Sequence, residues 1–202
     1  MVKLLVLGGI SDIDSVCRWE VQRFLKVPGE ETLHGASTKI AGLLELDRRM
    51  AKIYDSFHPH LQFVNATTFT SPKIDKYRLL TLHLLYRASN CALHSSIVPL
   101  FSNSTTNPHV SKKVVWLSAE ESVKHAALML DMATAFMSSR PDISRLPSIV
   151  GFAMFVASTV QFKSLGAQRK LQTYGTGRFR AAIFILDRLK EYWDSLQGLV
   201  SS

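Results

Sequence analysis

Cysteine is almost missing from this 202-residue chain: it has two, Cys17 and Cys91, far apart in sequence. That excludes a disulfide-built scaffold and any metal site made of closely spaced thiolates, and it fits a reduced, intracellular protein. Acidic residues are also scarce, with 16 Asp and Glu against 24 Lys and Arg, a net charge of +8. Such a balance favours acidic partners. The basic pairs Arg48-Arg49, Lys112-Lys113 and Arg169-Lys170 are nevertheless scattered and interleaved with acids. They read as solvated helix faces rather than as a dedicated nucleic-acid surface. Long apolar runs are lacking too. Residues 4–7 are too few for a signal sequence, and no small-residue cleavage site follows them. The stretch 146–162 falls short of the roughly 20 residues that span a bilayer and carries polar groups. It is expected to be a buried core helix, with no membrane partner. Alternating strand patterns are scarce as well: Val114-Val115-Trp116 is too short to found a sheet, and no repeat of fixed period is visible.

What is present is helical periodicity. A hydrophobic fraction of 47% beside 20% charged residues belongs to a folded domain rather than a disordered tail. Residues 12–27 read as a short helix stopped by Pro28-Gly29. From Ser37 to about Phe57, Leu43, Leu46, Met50, Ile53 and Phe57 recur at three and four residues. A third helix covers 73–94, with Leu79, Leu82, Tyr86 and Leu93 on one face and Leu85 and Ala92 beside them, and continues or restarts through 95–102. Residues 102–108, rich in Ser, Thr and Asn, form a loop. Ser118-Ala-Glu-Glu121 has the form of a capping box, which would open a helix with Ala126, Leu130, Ala133 and Met137 inward. Arg140-Pro-Asp142 would close it. A final amphipath over 178–198 would bury Phe179, Ala182, Ile183, Leu186, Leu189, Trp193 and Leu196. The expected fold is all-α: a single helical domain of about six or seven packed helices, with Tyr86 and Trp193 in one core. Residues 1–34 form a separate, loosely packed N-terminal helical segment, and residues 35–202 the main domain.

Candidate chemistry is thin. Residues 2–9 resemble the strand and glycine turn of a dinucleotide-binding fold, but no later glycine follows Gly8 and Gly9. Asp12 and Asp14 would also place negative charge where phosphates sit. His83 and His94 share a helix face, yet stand about 16 Å apart by helical rise, too far to hold one metal. His58 and His60 flank a proline with no acidic or cysteine partner nearby in sequence. Cys91 and His94 are helix neighbours that could form a nucleophile–base pair, but no orienting acid or oxyanion site accompanies them. Gly175 and Gly177, followed by Arg178 and Arg180, read as helix punctuation before an anion site. No catalytic, cofactor-binding or metal-binding residue is assigned, and no enzyme activity is expected.

The leucine-rich segment with Leu82-His83, Tyr86 and Leu93-His94 resembles the regulatory "middle homology" domain of fungal zinc-cluster transcription factors. The likeness extends over about 35–198. It includes Ala126-Ala127, the apolar helix at 149–162 and the closing Leu186-Asp-Arg-Leu-Lys-Glu-Tyr-Trp193. Pro99 follows His94 later than in the usual pattern. The family's DNA-binding module needs six clustered cysteines, which two distant ones cannot supply. The resemblance therefore implies a fragment, truncated form or stand-alone remnant: a nuclear regulatory domain acting in transcription without zinc or specific DNA binding. Its implied partners are co-regulator proteins or the transcription machinery, a small-molecule effector, and a second copy of the chain. The alternatives are a helical small-molecule-binding module or a helical enzyme.

Overall fold

The fold follows from one helix that is buried nearly all the way round. In the computed structural model, residues 33–57, 61–62, 69, 75–102, 107–167 and 176–193 are described, with the isolated positions 21, 23 and 25. Among them the helices run in the order α1 (Leu33–Asp55), α2 (Lys76–Ser95), α3 (Pro99–Ser102), α4 (Lys112–Ser138), α5 (Ser148–Ala167) and α6 (Thr176–Leu189). A 3-10 turn, Ile143–Arg145, precedes α5. No strand occurs among the described residues, and the architecture is all-α.

α2 is the axis. Asp75 caps it, its carboxylate accepting from the backbone N–H groups of Tyr77 at 3.0 Å and Arg78 at 3.4 Å. Beyond that turn, Leu79, Leu80, Leu82, Leu84 and Leu93 are buried to within 1%. A helix buried on nearly every side must be surrounded. α1, α4 and α5 all pack on α2, and α6 closes the far side against α4 and α5. The main core joins Leu79 and Leu82 to Met129, Phe136, Val150, Ala153, Ile185 and Leu189. A smaller cluster of Leu43, Leu46, Leu93 and Ile97 seats the first half of α1.

α4 differs from its sequence reading at its start. The capping serine is Ser111, whose oxygen accepts from Lys113 N at 3.3 Å. Ser118 lies buried inside the helix, so the apparent capping box is mid-helix. Two lysines and four bulky apolar residues precede it and continue the helix toward its N-terminus, where Val114 packs against the smaller cluster. At the other end Arg140 takes φ 47°, a left-handed position usually given to glycine, and Pro141 prevents further helix. The corner is held by Tyr77, whose hydroxyl accepts from Asp142 N at 3.0 Å beneath the Arg145 guanidinium.

α5 is 20 residues long, and by length and composition apolar enough to cross a membrane. It is not buried all round. Its inward face mixes the small residues Gly151, Ala153, Ala157 and Ser164, which let the backbone come close to its neighbours, with Val150, Met154, Val160 and Gln161. The large rings Phe152 and Phe162 point outward, at 44% and 60% exposure.

α6 corrects the sequence reading most sharply. The helix ends at Leu189 and passes into a turn, with Trp193 N bonded to Leu189 O at 3.0 Å. Its buried stripe is Ala182, Ile185, Leu186 and Leu189, whereas Ile183 is 60% exposed. Trp193 is 40% exposed and does not share the Tyr86 core. The expected stripe carried helical period past the helix end, where the turn rotates the tryptophan outward. Cys17, residues 1–20, His58, His60, residues 103–106 and Gly175 lie outside the described residues.

Candidate functional site

One face of α2 is polar and nevertheless buried. His83, Arg87, Asn90 and His94 stand at i, i+4, i+7 and i+11, a single stripe on a helix. His83 and Asn90 are fully buried, His94 nearly so, and Arg87 is half-buried. The stripe meets α1 and α4. From α1 come Asp47 and Tyr54, from α4 Ser118, Glu121, Ser122 and His125. Burial of so many polar groups in one joint requires that they answer one another.

At the closed end, His94 Nδ1 lies 3.4 Å from Ser118 Oγ and its Nε2 lies 3.5 Å from Asp47 Oδ1. The His94 side chain, together with burial that opposes it, leaves the Asp47 carboxyl below its ordinary value. Ser95 Oγ donates to Ser122 Oγ at 3.2 Å, and Ser122 Oγ donates to Ser118 O at 2.9 Å.

The centre is organised by Arg87. Its Nη1 donates to His125 Nδ1 at 3.3 Å, and its Nη2 to Tyr54 Oη at 3.5 Å. Its Cζ lies 5.1 Å from the ring centroids of both Tyr54 and Tyr86, which stack on each other at 4.2 Å. Tyr54 Oη in turn sits 3.1 Å from His83 Nδ1. Burial pushes His83 down to about 4, with Leu61's backbone hydrogen bond resisting and the Arg87 charge adding to the fall. Burial and the Arg87 charge push His125 down to about 3. Burial raises the Tyr86 phenol to about 12. At neutral pH, then, both imidazoles are uncharged.

The nucleophile–base pairing of Cys91 with His94 is not assembled. Cys91 Sγ donates to Ser122 O at 3.5 Å, and burial raises the thiol to about 12, far from a reactive thiolate. The shared face of His83 and His94 is confirmed, and both look toward α1. Among the described residues no group of three or more His, Cys, Asp or Glu is placed to hold a metal. His125, Tyr54 and Asp47 went unnoticed in the sequence. His125 and Glu121 are one helical turn apart, 3.7 Å between Nε2 and Oε2, but that spacing also fits a solvated face.

No protein-family model, curated protein or solved structure matches the chain.

Proposed function

We propose that the chain is a regulatory domain of the fungal zinc-cluster regulator type, acting in the nucleus on transcription through protein or effector contacts and without a DNA-binding cluster of its own. The observation that carries this reading is the place of the segment that bears the resemblance. Leu82-His83, Tyr86 and Leu93-His94 belong to the helix on which α1, α4 and α5 all pack. A regulatory domain needs a central element that couples several surfaces, and α2 touches four other helices at once. The polar joint around Arg87 supports it further, because hydrogen-bonded groups with few alternatives define discrete arrangements that a partner can bias.

The test is a fusion of the whole chain to an unrelated DNA-binding module in a fungal reporter strain. A nuclear, well-expressed fusion should raise or lower reporter output relative to the module alone. A fusion at the same level with unchanged output, in the presence of varied nutrients, would count against the reading. On its own the chain should retard random duplex DNA only at low salt, since +8 releases counterions without reading bases.

A further inference from the structure

Arg87 offers donors only. Both groups it reaches with its two terminal nitrogens must therefore accept. For His125, Nδ1 must carry a lone pair, which puts the ring proton on Nε2, facing Glu121 Oε2 at 3.7 Å. For Tyr54, an oxygen that accepts from Arg87 is left to donate its own proton, and His83 Nδ1 is 3.1 Å away. One cation thus sets the ring proton of His125 directly and, with the Tyr54 hydroxyl donating, favours the Nε2 proton of His83. A proton added to either Nδ1 would face a donor, Arg87 at His125 and the Tyr54 hydroxyl at His83, and would add a charge beside the guanidinium.

The two histidines serve different joints. His125 and Arg87 link α4 to α2, whereas His83 and Tyr54 link α2 to α1. Of the five longer helices, α1 has the fewest contacts among the described residues, its principal packing partner there being α2. We propose that Arg87, Tyr54, His83 and His125 form an acid-sensitive latch: it holds α1 on the bundle at neutral pH and releases it when the histidines take up protons. The proposal concerns the fold itself and does not depend on the transcriptional reading.

The surrounding charges decide how sharp the latch is. From α1, Asp47 and Asp55 act on the joint, Asp47 on His125 and both on Tyr86. From α2, the nearest groups are His94, which disfavours a charged His125, and Tyr86. From α4, Lys124 also disfavours it, and Glu121 is drawn toward Lys124 at 3.0 Å. At His83, Leu61's backbone favours the protonated form. Cations therefore oppose protonation at the centre, and the carboxylates sit at the half-exposed rim.

Two measurements on the full chain test this. Imidazole nitrogen NMR should show His83 and His125 neutral at pH 6, each with its proton on Nε2. In Arg87→Gln both should titrate at least about one pH unit higher, while Arg87→Lys, which keeps the charge, should move them less. Hydrogen exchange, corrected for intrinsic rates, should show α1 losing about tenfold or more of its protection between pH 7 and pH 5 while the α4–α5 core keeps its own. Ordinary titration of either histidine near 6.5 in the native chain would overturn the proposal. So would α1 protection that is independent of pH, or that is lost only together with the whole core. Should Arg87→Gln fail to fold, the native chain's tautomers and its α1 exchange decide the matter alone.

Discussion

The two sides of α2 are built on opposite principles. Toward α5 and α6 the helix offers leucines to a core of Met129, Phe136, Ala153 and Leu189, where contacts are non-directional and many. Toward α1 and the first half of α4 it offers two histidines and an arginine with directional partners, while the neighbouring Asn90 donates back to Tyr86 O within α2. The apolar side supplies stability that varies little with solution conditions. The polar side makes that stability depend on pH, and its directional bonds tie α1, α2 and α4 into one arrangement.

The comparison is broken most severely from the apolar side. Phe136 is fully buried and meets Phe69 and Tyr77 edge-on at 5.5 and 5.6 Å. Phe136→Ala should cost roughly 3–5 kcal/mol in denaturant unfolding at any pH from 5 to 8. A loss under about 1 kcal/mol would show that the core there is loosely packed.

Acid should have the next largest effect. An unfolded histidine titrates near 6.5, whereas His83 and His125 are held at about 4 and about 3. Below 6.5 the unfolded chain therefore binds more protons than the native one. The contribution of these groups is complete above about pH 6.5 and declines as pH falls toward 4 and then 3, by up to about 1.4 kcal/mol per pH unit for each group. Asp47, held below its ordinary value, adds a further loss at lower pH. Stability that stays flat from pH 7 to 5 would mean that these imidazoles are not neutral in the native joint.

Three smaller effects mark the edges. Asp75→Ala removes the α2 cap and should cost about 1 kcal/mol. Arg140→Gly should stabilise by up to about 1 kcal/mol, because glycine takes a positive φ without the clash of a Cβ. Trp193→Ala should cost under about 1 kcal/mol, in keeping with a ring at the surface. A cost of 3 kcal/mol or more would place it back in the core.

Periodicity made the all-α class and the positions of α1, α2 and α5 legible, since Leu43, Met50, Leu79 and Leu82 repeat as helices require. It failed where two signals compete. Ser118 and Glu121 satisfy a capping pattern, yet the helix starts at Lys112 because nothing before them breaks it. Trp193 fits the α6 stripe only if the helix continues, and the hydrogen bonds tighten into a turn after Leu189. The polar joint was half legible. His83 and His94 stood out by spacing, but their partners Tyr54, Asp47 and His125 come from other helices, and pairing across helices leaves no local pattern in one sequence.

In the polar joint, His83 and His125 are neutral because of where they are buried. The most direct test of this is the unfolding free energy of the native chain and of His83→Gln/His125→Gln, each measured from pH 7.5 to pH 5. The double variant should be less stable at pH 7.5, having lost two hydrogen-bonded rings, and its curve should be markedly flatter, so that the two converge on acidification. Curves that run parallel across the range would contradict the account.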